Sequence, residues 1–195
     1  GTRFYLNDVG QGVWEEVDEL QAGVDFGWYC REGAHDNSTT GKCNPRPPSM
    51  VDPIFEYQHG GNNVPGTTIS GCNSITGGAF VPNGIWPPDY DGKYLLADYI
   101  CGAMFRIATT GTPAAPITAA TTFASNLGGS SATSLTFGPY LATQALYYTS
   151  YASGGQVRRI RYSQTSDVAF ASAAVSGLRI TVNGVTRTAP FTLTM

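Results

Sequence analysis

A repeated pattern of strands and turns constrains this chain more than any other feature. Residues 94–107 and 146–160 each contain an apolar strand, a tyrosine, a glycine-containing turn and a strand that ends in Arg-Ile. The spacing from Tyr99 to Tyr151, about 50 residues, is typical of β-propeller blades. Phe4–Asp8 is a weaker third copy. The alternative is that two unrelated hairpins share aromatic strands.

The first copy lies inside a longer strand-rich segment, Gly71–Ile107. Prolines and glycines between residues 82 and 91 predict a long turn, and Cys101-Gly102 predicts a tight one. Tyr, Phe, Ile and Leu, which are frequent here, favour strands. The segment therefore predicts an antiparallel meander. Its strands are predicted at Ile75–Val81, Lys93–Asp98 and Met104–Ile107.

Composition excludes several functional classes. The 195 residues carry a net charge of -3, 13% of them are charged, and the lysines are Lys42 and Lys93. Without a basic patch, a nucleic-acid partner is not expected. No apolar run reaches the ~18 residues of a membrane helix. The sequence opens at Gly1 and enters a predicted strand almost at once, so we expect a leader or N-terminal region to be missing from it.

Four cysteines fall into two local pairs. Cys30 and Cys43 bracket a polar loop, and Cys72 and Cys101 bracket the meander. Disulfides between neighbours are the simplest of the three connectivities, although the sequence alone does not choose among them. Zinc is the alternative, which the absence of CxxC and HxxxH spacings disfavours. Disulfides indicate an oxidising compartment: periplasm, cell surface or medium.

The rest of the chain is predicted as strands and loops, with one exception. Val13–Leu20 is predicted as a short helix. A change in composition after residue 162 divides the chain into residues 1–162 and 163–195. The second part contains four predicted strands, with a two-residue hairpin signal at Asn183-Gly184. It is interpreted as the start of a β-sandwich or as a sheet extension, whose edge can exchange strands with another chain.

Six short segments carry a more specific likeness. They are NDVGQGVWEEV at 7–17, DFGW at 25–28, REG at 31–33, PIFEYQH at 53–59, CNSITGG at 72–78 and GKYLLADY at 92–99. In this order they resemble the glucose/sorbosone dehydrogenase family, over Thr2–Tyr162. The resemblance implies a secreted or periplasmic six-bladed β-propeller, and some members oxidise sugars with pyrroloquinoline quinone (PQQ). It also implies a disulfide between Cys72 and Cys101, which is common in the family.

The resemblance is to the C-terminal half of the family alone. The family's catalytic histidine and its quinone-contacting Arg-Asn motif precede the DVGQ segment, and nothing in this chain matches them. Six blades of about 45–50 residues need about 300 residues, more than this chain has. We therefore expect an all-β fragment: the last blades of a six-bladed propeller, followed by a short β-rich C-terminal segment.

Asp8, Glu15 and Glu16 are the candidate metal ligands. They form the densest acidic group in the chain. The resemblance implies calcium near this segment, held by oxygen ligands as a hard cation requires. The alternative is that Glu15 and Glu16 form an exposed pair on a turn or short helix. No residue of this chain is assigned a catalytic role, and no quinone-binding residue is identified.

Other residues have both a functional and a structural interpretation. His35 and His59 are candidate general bases, because histidine is the side chain most often used for this role, but they lie outside the family's catalytic motif. Three arginines on the last predicted strand can face an anionic ligand or solvent. Three aromatic residues can bind carbohydrate or pack between blades. These six are Arg158, Arg159, Arg161, Trp86, Tyr90 and Tyr140.

Two hypotheses of function follow. In the first, the chain is part of a secreted aldose dehydrogenase-like propeller whose parent protein oxidises a sugar or related alcohol with PQQ and calcium. In the second, the same scaffold is a non-catalytic extracellular module for binding or self-assembly, with strand exchange through the C-terminal segment. A histidine and an Arg-Asn pair upstream would favour the enzyme. A C-terminus that orders only in multimers would favour assembly.

Overall fold

The structure is a computed structural model that describes residues 2–163, 167–170, 179–182, 185–188 and 191–194. The chain divides into two compact units, residues 1–161 and 162–195. None of the helices among the described residues has the length and hydropathy needed to cross a bilayer. Short 3-10 helices occur at Gly41–Cys43, Pro88–Tyr90 and Ala152–Gly154. The strands are β1 Tyr5–Asp8, β2 Trp14–Glu19, β3 Arg31–Glu32, β4 His35–Asp36, β5 Phe55–Gln58, β6 Ile75–Phe80, β7 Tyr94–Asp98, β8 Ala103–Ile107, β9 Thr121–Ala124, β10 Ser131–Tyr140, β11 Thr143–Ser150, β12 Gln156–Ile160, β13 Asp167–Phe170, β14 Arg179–Val182, β15 Val185–Thr188 and β16 Phe191–Thr194.

The first unit is built from three antiparallel sheets that follow one another along the chain. Their strand orders are β1-β2-β5, β6-β7-β8-β9 and β10-β11-β12, and β3 and β4 form a separate small hairpin. The first strand of the middle sheet, β6, lies next to both β1 and β10, the first strands of the other two sheets. Successive antiparallel sheets that meet through their first strands form a partial β-propeller.

The middle sheet is buried on both faces. Successive residues of a strand point to opposite faces, and every residue of β7 is buried. Tyr94 and Leu96 belong to a core that lies against the first sheet, whereas Leu95 and Ala97 belong to a core that lies against the third. The first core also contains Val17, Ile54, Phe55, Tyr57, Val64, Ile75, Phe105 and Ile107. The second also contains Val81, Trp86, Met104, Leu135, Leu146 and Tyr148.

The predicted repeat falls on equivalent strands of two sheets. The first copy contains β7 and β8, the second contains β11 and β12, and each pair forms the second and third strands of its sheet. The prediction of a third copy at Phe4–Asp8 is wrong. This segment falls on β1, which is the first strand of its sheet and not the second. Aromatic and aliphatic residues favour strands at either position, so a short match does not distinguish the positions.

The segment predicted as a short helix, Val13–Leu20, is instead a strand. β2 pairs with β1 on one side and with β5 on the other. The spacing of Val13, Val17 and Leu20 matches one face of a helix, which explains the wrong prediction. Pairing on both edges satisfies the backbone of a central strand, and this tertiary context overrides the local pattern.

Two disulfides join neighbouring cysteines. Cys30 is bonded to Cys43, and Cys72 is bonded to Cys101. The first bond closes the loop that contains β3 and β4. The second joins the segment before β6 to the turn between β7 and β8. All four cysteines are therefore used within the first unit.

Asp98, the last residue of β7, fixes the turn that the second disulfide closes. Its fully buried carboxylate accepts four hydrogen bonds of 2.8–3.0 Å, from the Tyr57 hydroxyl and the backbone N–H groups of Ser74, Ile100 and Cys101. Burial, together with the charge of Asp98, raises the pKa of Tyr57 well above its ordinary value, so the hydroxyl remains a donor. Because Tyr57 lies on β5, the carboxylate also joins the first sheet to the second.

The second unit contains two antiparallel strand pairs in its described part. β13 pairs with β16, and β14 pairs with β15. Val182 lies opposite Val185, the register expected for the hairpin predicted at 183–184. Residues 183–184 and 171–178, which the predicted hairpin and strands include, lie outside the described residues. The assignment of this unit to a β-sandwich stays a prediction.

Leu95 and Leu141 form a matched pair for testing the two-sided burial of β7. Leu95 is 0% exposed and Leu141 is 88% exposed. We expect Leu95→Ala to lower the free energy of unfolding by about 2–5 kcal/mol, because it leaves a cavity in a packed core. Leu141→Ala should change it by less than about 0.5 kcal/mol. Urea unfolding followed by tryptophan fluorescence measures both, and equal losses would contradict the assigned burial.

Candidate metal centre

Three carboxylates converge on one face of the β1–β2 ladder. Asp8 lies directly opposite Glu16 in the antiparallel register, and Asp18 lies two residues further along β2. Residues opposite one another, and residues two apart on a strand, share a face of the sheet. One carboxylate oxygen from each of the three lies within 4.8 Å of the others. We call Asp8, Glu16 and Asp18 the carboxylate cluster.

The carboxylate cluster is largely buried and has few compensating partners: the backbone N–H groups of Val9 and Gly33 donate to Asp8 and Glu16. Glu16 is 7% exposed and Asp18 is 1% exposed. Oε2 of Glu16 and both carboxylate oxygens of Asp18 are buried without a hydrogen-bond partner among the described residues. An unpaired buried carboxylate is strongly unfavourable unless a proton or a cation compensates it. The arrangement therefore requires one of the two.

The electrostatics of the cluster show the same requirement. Burial, followed by repulsion from Asp18, Asp8 and Glu56, raises the pKa of Glu16 to about 8. Burial and repulsion from Asp8 raise the pKa of Asp18 to about 7. Burial also raises the pKa of Asp8. Carboxylates that share a site hold protons more tightly, and a bound divalent cation would displace those protons.

Glu15, one of the three predicted ligands, lies on the opposite face of β2. Its fully buried carboxylate accepts a 2.9 Å hydrogen bond from the Ile75 backbone N–H and lies 2.5 Å from Nε2 of His59. Burial raises the pKa of Glu15, and the Ile75 N–H and His59 partly offset the rise. Glu15 therefore links the first sheet to β6, and Asp18 takes its place in the cluster. The alternative of an exposed Glu15–Glu16 pair is wrong, since both side chains are buried.

Glu32 shapes the loop that borders the cluster. Its Oε1 accepts hydrogen bonds from the backbone N–H groups of Gly12, Val13 and Trp14 at 2.7, 2.7 and 3.1 Å. Burial alone would raise the pKa of Glu32, but these three donors hold it below its ordinary value. A Cβ at Gly10 would lie 1.7 Å from the Trp14 carbonyl oxygen, so only glycine allows this close approach.

A cavity of about 330 Å³ opens beside the cluster. Its lining comes from β1, the loop after it, β2, β3 and the segment that leads into β3. The lining includes Asp8, Gln11, Glu16, Trp28, Arg31 and Glu32. Of these, the sequence prediction included only Asp8 and Glu16. A strand assignment for 14–19 would have indicated Asp18 as well, because it places Glu16 and Asp18 on one face.

The histidines are both held by glutamates. His59 contacts Glu15, as described above. Nε2 of His35 lies 3.0 Å from Glu56, and its ring stacks on Trp14 at 3.9 Å between centroids. These contacts agree with a structural role for both histidines, the second of the two interpretations, and not with a free general base.

The arginines and aromatic residues also have structural partners. Arg158 donates to the Leu127 carbonyl, and Arg159 lies 3.8 Å above the ring of Tyr140. Trp86 is buried in an aromatic cluster that includes Tyr90. Arg161 is exposed. The structure thus places Trp86 and Tyr90 as packing residues.

A second group of potential metal ligands, two cysteines and one aspartate, is already occupied by other bonds. Cys72, Asp98 and Cys101 lie together, but the two sulfurs are bonded to each other and Asp98 already accepts four hydrogen bonds. We assign no contact with PQQ to the described residues.

Comparisons with known proteins agree with this fold. No known family profile matches the chain. It is 31% identical over 125 residues to the HIPL1 protein and 33% identical over 105 residues to the HIPL2 protein, both of Arabidopsis thaliana. These matches cover 62% and 52% of this chain but only 17% and 14% of the relatives, so the chain spans a small part of their length.

A solved structure extends the comparison. The PQQ-bound aldose sugar dehydrogenase of Streptomyces coelicolor superposes with a TM-score of 0.51 and 18% identity, over 80% of this chain and 38% of that one. The chain has a partial β-propeller fold. At this identity the likeness establishes the fold alone, and not the activity.

The cluster predicts an unusual dependence of stability on pH. In the presence of a chelator, the folded state should bind protons more tightly than the unfolded state, because Glu16 and Asp18 have raised pKa values. The free energy of unfolding, and with it the melting temperature, should therefore fall as pH rises from about 5 to about 9. The expected slope is about 1.4 kcal/mol per pH unit for each proton that the folded state retains and the unfolded state has lost. Scanning calorimetry in chelator across this pH range measures the fall. The double variant Glu16→Gln/Asp18→Asn should lose most of the fall, because Asp8 and Glu15 retain raised pKa values. A flat wild-type profile would contradict the assignment.

Proposed function

We propose that this chain is the calcium-binding part of a β-propeller protein. The observation that carries the proposal is the carboxylate cluster, in which three buried oxygens lack partners among the described residues. All available ligand atoms are oxygens, which suits Ca²⁺, whereas structural zinc sites use cysteine and histidine. Asp8, Glu16 and Asp18 would hold the ion. Bound there, it would offset two of their three negative charges and link β1 to β2.

For the parent protein, we propose oxidation of a sugar or related alcohol with a quinone cofactor. Two observations support it: the six ordered segments that resemble the glucose/sorbosone dehydrogenase family, and the fold shared with a PQQ-bound aldose sugar dehydrogenase. The base and the quinone contacts would come from residues that this sequence does not contain. This chain would contribute the cation site and the packed sheets that support it.

A non-catalytic module for binding or self-assembly is the second candidate. The observation that favours it is the edge of the third sheet, where β12 pairs with β11 and with no other described strand. Val157 on this edge is largely exposed. Unpaired strand edges are templates for pairing with another chain.

We further propose that the protein works outside the cytosol, in the periplasm or the extracellular medium. Two disulfides within one unit support this location. Free calcium at the concentrations found in such compartments also suits an all-oxygen site of modest affinity.

Calcium binding can be tested with a matched pair of aspartates. Asp18→Asn should abolish most calcium binding, measured by titration calorimetry, whereas Asp89→Asn, at an exposed position, should leave it unchanged. The effect of Asp18→Asn on stability should have opposite signs in chelator and in calcium. At alkaline pH the variant should be more stable than wild type in chelator, because one buried charge is removed. In calcium it should lose the stabilisation of about 3 kcal/mol expected near a hundredfold excess over Kd. Equal calcium binding by both variants would overturn the site.

The parent activity needs the whole protein as the sample. Incubated with PQQ and calcium, it should reduce an artificial electron acceptor in the presence of an aldose, and a chelator should reverse this. Glu16→Gln should lower calcium affinity and thereby the activity at limiting calcium. Calcium binding without any sugar oxidation would instead favour the non-catalytic module.

A further inference from the structure

The loop that the first disulfide closes contains an acceptor tripeptide for N-linked glycans. Asn37-Ser38-Thr39 fits the pattern Asn-X-Ser/Thr, in which X is any residue except proline. No other asparagine in the sequence begins such a tripeptide. The tripeptide directly follows β4 and lies between Cys30 and Cys43. Neither the carboxylate cluster nor the packing of the sheets makes use of it.

The structure places this tripeptide at the surface, on a backbone that is held in position. The backbone N–H groups of Asn37 and Ser38 both donate to the Cys30 carbonyl, at 2.8 and 3.1 Å. Asn37 and Thr39 are exposed. A large substituent on the Asn37 side chain can therefore extend into solvent without displacing a packed residue.

The hydrogen bond of the Asn37 side chain is compatible with a glycan. Its Nδ2 donates to the backbone carbonyl of Tyr29 at 3.0 Å. A side-chain amide nitrogen has two hydrogens, and an N-linked sugar replaces one of them. The remaining hydrogen can keep the bond to Tyr29, which would orient the first sugar relative to the loop.

Two large aromatic residues lie beside this anchor point. Trp28 is 58% exposed and Tyr29 is 42% exposed. Adjacent exposed aromatic residues form an apolar patch, and apolar patches favour association with other surfaces. A hydrated glycan that starts at the Tyr29 carbonyl would cover this patch and leave the fold unchanged.

We propose that Asn37 is an N-glycosylation site whose glycan covers Trp28 and Tyr29. The donor is a lipid-linked oligosaccharide. Nδ2 of Asn37 forms a bond to C1 of the first sugar, the bond from C1 to the pyrophosphate oxygen breaks, and the lipid pyrophosphate leaves. One amide proton is lost and no electron is transferred. Because this transfer takes place outside the cytosol, the inference rests on the proposed location of the protein.

Secretion from a eukaryotic cell tests the site. The 195-residue chain, expressed behind a cleavable signal peptide, should have an intact mass above 20.7 kDa. Peptide:N-glycosidase should return the mass to that of the chain and convert the modified asparagine to aspartate, which peptide mapping should locate at position 37. No mass increase in a secreted chain, or a glycan at another position, would overturn the inference.

The two residues after Asn37 provide a matched pair of variants. Thr39→Ala should abolish the modification, because it removes the hydroxyl that the transferase recognises, and it leaves the Asn37 side chain in place. Ser38→Ala changes the unrestricted middle position and should still be modified. Transfer occurs during translocation, so cell-associated chains report it even where a variant does not fold. A glycan retained by Thr39→Ala would contradict the site.

Fluorescence quenching by acrylamide tests whether the glycan covers the aromatic patch. Trp28 is the exposed tryptophan, whereas Trp14 is half-buried and Trp86 is buried. The glycosylated chain should be quenched less than the same chain after enzymatic deglycosylation. The variant Trp28→Phe should show no difference between the two forms. Equal quenching of both wild-type forms would overturn the covering of Trp28.

The same samples separate this inference from the proposed function. Both disulfides without a glycan would overturn the glycosylation site and leave the proposed location intact. A secreted chain that forms neither disulfide would overturn the evidence for that location. Asn37 does not line the cavity beside the carboxylate cluster, so calcium titration of the deglycosylated chain tests the cation site independently.

Discussion

The alternation of side chains along β2 governs the first sheet. β2 is paired on both edges, so a slip by one residue would break two ladders and reverse every side chain. Its acidic residues are therefore fixed, Glu15 toward β6 and Glu16 and Asp18 toward the cluster. Each buried charge needs its own compensation. His59 and the Ile75 N–H provide it on one side, and a proton or a cation provides it on the other.

The cavity beside the cluster depends on the same strand. The loop that leads into β2 curves around Glu32, which accepts three of its backbone N–H groups. This curvature brings Gly10 against the Trp14 carbonyl, where no side chain fits. A carboxylate on β3 thus determines where the loop runs, and the loop determines the shape of the cavity. The carboxylate cluster, the cavity and the β3–β4 hairpin are therefore structurally linked.

Sequence reasoning predicted the fold well because strand length, turns and repeats are local signals. The meander at 75–107 and the correspondence of the two repeat copies follow from such patterns. The helix predicted at 13–20 was wrong, since nothing local shows that a strand will be paired on both edges. The same error separated Glu16 from Asp18, because helical spacing does not place them on one face. The position of Trp28 had no local signal either, because the cavity that it lines is formed by several separate segments of the chain.

The double-sided burial of β7 has a consequence for the motions of the molecule. Its amides are enclosed by β6 and β8, and its side chains belong to both cores. Local opening cannot expose this strand without disturbing all three sheets of the unit. Amide protons of Leu95–Ala97 should therefore exchange with solvent only through global unfolding, and their exchange rates report the stability of the whole propeller unit.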